Sequence, residues 1–387
     1  MILAVVAIAS AVAAQASDSV KVHRLEVEVV PGAILHTNSF LNGNNVEVRR
    51  MNSSFVGRLK YAFLPPEGSR DAIIYRGVYQ GAGLAFHHFN TQLGNPVSAY
   101  IFQGATIKTL APRLTLNYEW NFGLTYGWKS YDEEKSPENR VIGSKLTAYI
   151  DAGIYLRYMV SRYWDLNIGA TFSHYSNGNT SIPNAGLNVA GLKASAAYYF
   201  NRGSVGCGSA AATLALPPVE HRWQVDLTLF GAWKRKGIDT QYGAYAVPGA
   251  FGVIGLNINP LYRLNHWLNV GASLDASYDG SANIDIDEEA LGTDRWAGSE
   301  ANLHHPAWYR KVGIGLSGRV EFTMPYFTIN FGIGHHFVNA NTTDLRGFYE
   351  ILALKIGLTR HTYLHIGYSL YDFHYPNNLM LGLGLHL

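Results

Sequence analysis

The sequence is short of charge. Lys, Arg, Asp and Glu make up 15% of the 387 residues, against roughly a quarter in soluble domains. The net charge is only +2, with no basic block or stripe, which excludes a nucleic-acid partner whose phosphates would need clustered cations. Cysteine occurs once, at Cys207, so there is no internal disulfide framework, and the isolated thiol reads as a small inert side chain. No segment beyond the N-terminal region holds the ~20 uninterrupted apolar residues of a spanning helix, which excludes helical membrane insertion. Neither a glycine-rich phosphate loop nor a Cys-x-x-Cys pair is present, and no cofactor is expected.

What is abundant points one way. Aromatic residues reach 13%, with 25 tyrosines, and glycine stands at 40. A transmembrane β-barrel needs this mixture: aromatics for two interfacial girdles, glycine for turns and close lumen packing, and few charges because half of every strand meets hydrocarbon. Met1 to Ala16 is an apolar run ending in Ala14-Gln15-Ala16, the small-x-small pattern of a signal peptide, with cleavage expected before Ser17. Residues 17–387 are then the exported barrel.

Periodicity carries the fold. Leu114, Leu116, Tyr118, Trp120, Phe122, Leu124, Tyr126 and Trp128 alternate with polar or small residues, a period of two far longer than the five or six residues of a typical globular strand. The pattern recurs at Trp223 to Leu229, at Val312 to Phe322, and at Leu379 to Leu387. Candidate strands lie near 23–36, 52–64, 79–90, 96–106, 110–128, 141–160, 162–176, 186–201, 220–235, 241–259, 266–280, 306–323, 326–338, 346–359, 362–373 and 377–387. The fold class is all-β, an antiparallel transmembrane barrel of about 14–16 strands within a range of about 12–16. With both termini periplasmic, loops 129–140 and 281–305 fall outside. The Gly/Ala/Pro-rich stretch Gly203 to Pro218 sits where a short turn belongs. It reads as a periplasmic excursion of a single barrel, the preferred arrangement, or as a linker between two eight-stranded barrels. A faint internal echo links Tyr163 to Ala170 with His266 to Ala272, and similar strands looking alike is the favoured account of it.

Chemistry concentrates in residues 172–188. His174 and Ser176 stand two apart on a predicted strand and continue the row Leu166, Ile168, Ala170 and Phe172, while Asn167, Gly169, Thr171, Ser173 and Tyr175 form the opposite, lumen face. A polar pair aimed at lipid loses water without assured partners, an expense that suggests use. Same-face neighbours lie ~7 Å apart, within reach of an imidazole extended toward a hydroxyl. His174 could act as general base and Ser176 as nucleophile toward an ester. If the hairpin is symmetric about Ser181, Asn188 sits opposite His174 and its amide oxygen could orient the ring; Asp165 has lumen parity and makes a poor substitute. Oxyanion donors could be the side-chain amides of Asn177 or Asn184, or backbone N–H groups around Asn184 and Ala185.

The run His174-x-Ser176-Asn177, followed by Pro183-Asn184, resembles the signature of the outer-membrane lipid A 3-O-deacylase family (PagL-like, also called acyloxyacyl hydrolase). The resemblance implies a carboxylic-ester hydrolase with Ser176 as nucleophile, His174 as base and Asn184 near the oxyanion, set on the barrel's outer surface near the external leaflet. It further implies lipopolysaccharide as substrate, the bacterial outer membrane as location, and the barrel assembly machinery as a partner in biogenesis. Family members resemble small eight-stranded barrels, matching the strand number of residues 23–201 here. Two departures stand out: the family's acidic triad member falls at Asn188, and residues after about 202 have no counterpart in the small members.

The rival reading is a non-catalytic barrel, either a pore lined by residues such as Arg113, Glu119, Arg319 and Glu321, or a surface adhesin using loop 281–305. Adjacent histidines at His87-His88, His304-His305 and His335-His336 point to opposite faces of a strand and chelate one ion poorly, so no metal is expected. The acidic stretch Asp285, Asp287, Glu288 and Glu289 reads as a solvated external loop.

Overall fold

The computed structural model describes residues 21–66, 68–202, 215–240, 243–286, 303–342, 344–373 and 375–387. The expected leader Met1–Ala16 with its cleavage point, Cys207, most of Gly203–Pro218 and most of loop 281–305, including Asp287, Glu288 and Glu289, lie outside the described residues.

The chain divides into two compact units, one built on each of two closed barrels. The first barrel consists of β1 (Val22–Ile34), β2 (Ser53–Leu64), β3 (Tyr79–His88), β4 (Val97–Ala111), β5 (Leu114–Tyr126), β6 (Leu146–Met159), β7 (Trp164–Ser176) and β8 (Leu187–Tyr199). Each strand pairs antiparallel with the next, and β1 closes on β8 through pairs such as Val27 with Ala196. The second barrel consists of β9 (Trp223–Lys234), β12 (Phe251–Arg263), β13 (Leu268–Asp279), β16 (Val312–Thr323), β17 (Phe327–Val338), β18 (Phe348–Gly357), β19 (Thr362–Tyr371) and β20 (Tyr375–His386). It closes where β20 meets β9, with Leu383 opposite Leu229. Two side hairpins interrupt its connections: β10 (Gly237–Thr240) with β11 (Gly243–Ala246), and β14 (Asp285–Ile286) with β15 (Leu303–His304).

The sixteen expected strands all overlap barrel strands, but they close as two eight-stranded barrels rather than one. Closure is decided by hydrogen bonds between the first and last strands of each set, residues some 150–175 apart in sequence, and alternation within a strand says nothing about which edge it meets. The expected strand 241–259 shifts to Phe251–Arg263, because residues 243–246 pair instead in the side hairpin. In β5 the long alternation ends at Tyr126. Gly127 has φ +103°, which turns Trp128 inward, where its indole N–H donates to Thr147 Oγ1 at 2.9 Å. The internal echo falls on the seventh strand of one barrel and the third of the other. Both copies begin a strand after a similar tight turn, with Val160 N–H bonded to Trp164 O and Leu264 N–H to Leu268 O, each at 3.0 Å.

An eight-stranded barrel is just wide enough for side chains to fill it, and both lumens are filled. In the first, Arg58 bonds Glu28 at 2.6 Å and Asp151 at 2.8 Å, while Glu119 takes Lys60 at 2.5 Å, Lys193 at 3.0 Å and the Tyr79 hydroxyl at 2.7 Å. In the second, Asp275 meets Arg319 and Lys355 joins Asp226 to Glu321. The residues suggested as a pore lining therefore do something else. Glu119, Arg319 and Glu321 are buried in these ion pairs, and Arg113 is exposed in the turn between β4 and β5.

Outward faces are apolar, with Ile168, Phe172, Leu192, Ile254, Leu316 and Ile333 all exposed. Aromatic clusters ring the strand ends, among them Trp164, Tyr198 and Phe200. These are the marks of a membrane-spanning barrel, and the protein is an outer-membrane protein.

Candidate active site

The phase of β7 is set from inside the barrel. Ser173 donates to Asp151 at 2.6 Å. Tyr175 is buried, with its hydroxyl 3.2 Å from His87 Nδ1 and its ring stacked on Tyr149 at 5.4 Å. With these odd positions locked inward, the even ones must face out, because successive strand side chains alternate. Leu166, Ile168, Ala170 and Phe172 are exposed, and half-buried His174 and Ser176 complete the row at the long-loop end. The parity expected from the sequence is the parity of the structure.

His174 and Asn188 are register partners across β7 and β8, as a hairpin centred on Ser181 requires. His174 Nδ1 lies 2.7 Å from Asn188 Oδ1. A carboxamide oxygen only accepts, so Nδ1 carries the proton and Nε2 presents a lone pair. Asp165, by contrast, sits at the far end of β7, buried and held by Arg202 through two bonds of 2.9 Å.

The other three residues form one hydrogen-bonded unit. Asn184 Nδ2 donates to Ser176 Oγ at 2.9 Å, and Asn184 Oδ1 accepts the Asn177 backbone N–H at 3.1 Å. One side chain thus ties the end of β7 to the loop before β8. The Asn177 side chain is buried, whereas Asn184 is half-buried beside the serine.

Of the two expected loop donors, Asn184 and Ala185, the second needs a correction: the Ala185 N–H is already bonded to Arg140 O at 3.1 Å, and the next amide, Gly186 N–H, to Val141 O at 3.0 Å, both in the β5–β6 connection. That connection is itself pinned by Asn139, whose Oδ1 accepts from the Val141 and Ile142 amides and whose Nδ2 donates to Lys129 O at 2.8 Å.

One participant was missed from the sequence. Gly186 has φ +76°, and a Cβ there would stand 3.0 Å from His174 Cε1 and 3.7 Å from Nε2. The only sequence signal is a lone glycine just before a strand, which is a weak one. Two of the three histidine pairs split between faces: His87 is buried 2.6 Å from Ser98 Oγ while His88 turns out toward Asn95, and His335 is exposed while His336 is buried, whereas His304 and His305 are both exposed, with His305 past the end of β15.

An outward-facing polar cluster on a barrel wall defines the class as a membrane barrel whose candidate chemistry lies on its lipid side. Residues 71–197, spanning β3 to β8, match the family described as lipid A 3-O-deacylase (PagL). Residues 223–387, the whole second barrel, match the acyloxyacyl hydrolase C-terminal domain. The chain belongs to the lipid A 3-O-deacylase (PagL) family, a family of hydrolases. No curated protein matches the chain. Among solved structures, that of the outer membrane enzyme PagL is 15% identical, with a TM-score of 0.31, covering 44% of this chain and 97% of that one. Neisserial surface protein A is 9% identical, with a TM-score of 0.31, covering 46% and 97%. The siderophore receptor PirA from Pseudomonas aeruginosa is 8% identical, with a TM-score of 0.26, covering 96% and 81%.

Proposed function

We propose that the protein removes an acyl chain from lipid A by serine-histidine ester hydrolysis on the outer wall of the first barrel. The observation that carries the reading is the 2.7 Å contact from His174 Nδ1 to Asn188 Oδ1, which leaves Nε2 basic on the face shared with Ser176. The Asn184 amide donates to Ser176 Oγ, so the hydroxyl proton is free for another acceptor, and the imidazole of His174, two residues along the same face, is the proposed base. Ser176 Oγ attacks the ester carbonyl as its proton passes to His174 Nε2. The tetrahedral intermediate collapses when the imidazolium protonates the departing sugar oxygen, and water then releases the fatty acid from the acyl-serine by the same route. The Asn184 amide, with two hydrogens, serves as the oxyanion donor. Asn177 supports it by holding its carbonyl. Asn188 takes the orienting place of an acidic residue and stabilises the imidazolium through a neutral dipole.

The connections 35–52, 89–96, 127–145 and 177–186 lie at the site's end of the first barrel, against the tight turns 112–113 and 160–163 and the longer connection 65–78 at the other, and on this reading the site faces the external leaflet, where lipopolysaccharide resides. The barrel assembly machinery would insert both barrels. Incubating the purified protein in detergent with lipid A should release a free fatty acid, detected by mass spectrometry. Ser176→Ala should abolish release while heat-modifiable migration persists; release that survives the substitution removes this serine as nucleophile.

A further inference from the structure

Resting on that reading, we propose that Arg140 and Lys145 form a phosphate-binding site that selects glycolipids bearing a phosphomonoester. Both side chains are exposed in the β5–β6 connection. Every cation of the first lumen is ion-paired, Arg24, Arg58, Lys60 and Lys193 included. Arg140 and Lys145, among the described residues, make no ion pair and no side-chain hydrogen bond.

Arg140 is close to the chemistry and firmly held there. Its carbonyl accepts the Ala185 N–H at 3.1 Å, and Ala185 follows the Asn184 that contacts Ser176. The two residues after it, Val141 and Ile142, are wholly buried, and Asn139 before it caps their amides. The backbone that carries this guanidinium cannot drift from the serine without breaking those bonds.

Lys145 ends the same connection, one residue before β6 begins. Ala148 is the register partner of Ser176, so Lys145 lies three residues, about 10 Å, further toward the long-loop end. Below the serine the wall is apolar, with Ile150, Ile154 and Phe172 exposed. An amphiphile aligned with this wall has its chains along those residues, its ester at Ser176 and its headgroup beside the two cations. A guanidinium grips phosphate bidentately and an ammonium acts as a point charge, so a phosphomonoester suits the pair better than a neutral sugar.

The test uses the full-length Ser176→Ala protein in detergent, titrated with lipid A and with enzymatically dephosphorylated lipid A, so that binding is read without turnover. Phosphorylated lipid A should bind about tenfold or more tightly than the dephosphorylated form. Adding Arg140→Ala should remove most of that preference, and Arg140→Lys should restore part of it. Equal binding of both lipids, or a loss that is the same for both when Arg140 is replaced, would overturn the proposal. So would inorganic phosphate competing as well as the glycolipid, since the site would then take the free anion. A parallel KM and kcat series on the serine-containing protein separates the two ideas: Arg140→Ala should raise KM for phosphorylated lipid A and leave kcat nearly unchanged. Hydrolysis that ignores Ser176→Ala would defeat the nucleophile assignment and leave the phosphate preference standing.

Discussion

Gly186 lies against the imidazole of His174 on a backbone held at φ +76°: an added Cβ would meet Cε1 at 3.0 Å, so the ring would have to give way by a few tenths of an ångström. Replacing it by alanine therefore does two things. The left-handed conformation costs about 1–2 kcal/mol for a residue with a Cβ, and the methyl presses on the ring that must meet Ser176. Gly186→Ala should lower fatty-acid release by about ten- to a hundredfold while the barrel still folds. Full activity in that variant would mean that the ring position is not set here.

Asn188 holds the imidazole tautomer through a neutral oxygen. Asn188→Leu should reduce release by at least about a hundredfold, because the base loses its orientation. Asn188→Asp should match or exceed the unmodified protein, since a carboxylate stabilises the imidazolium better than an amide does. Rate measurements on both variants decide the matter, and a leucine variant with the original rate would rule out the orienting role.

Glu119 binds Lys60, Lys193 and Tyr79 inside the first barrel. Glu119→Ala leaves two buried ammonium groups without this partner, a loss of about 3–5 kcal/mol. The temperature at which the folded band shifts on gel electrophoresis should fall clearly, and an unshifted temperature would contradict this account of the lumen.

Asp275 plays the equivalent part in the second barrel, accepting from Arg319, Ser317 and Tyr349. Asp275→Ala should destabilise that barrel by a similar amount. Fatty-acid release by the folded protein should stay the same, because every proposed reacting group lies in the first barrel. A large fall in kcat with folding intact would instead assign the second barrel a part in the reaction.

The fold was legible in the sequence wherever one strand could speak for itself. Alternation located all but one of the sixteen barrel strands closely, the exception being 241–259 against Phe251–Arg263, and oriented His174 and Ser176, because facing lipid or lumen is a property of parity alone. Closure was not legible: β8 meets β1, and β20 meets β9, through backbone groups that every strand carries. The sign of the division was the Gly203–Pro218 stretch at an end where turns are short, weighed as one alternative of two. Trp128 was misplaced because a single left-handed glycine reverses the phase. In the site, the His174 and Asn188 pairing followed from hairpin arithmetic. The engagement of the Ala185 amide by Arg140 did not, since it joins two loops more than forty residues apart.

The plugged interior also decides how substrate arrives. With charged and aromatic side chains occupying the first barrel's axis, the proposed reaction at Ser176 requires an acyl chain to arrive by sideways diffusion within the leaflet and not through the cylinder. Turnover in a membrane should therefore follow the surface mole fraction of substrate, and diluting it with inert lipid should slow the reaction even when the total amount in the suspension is held constant.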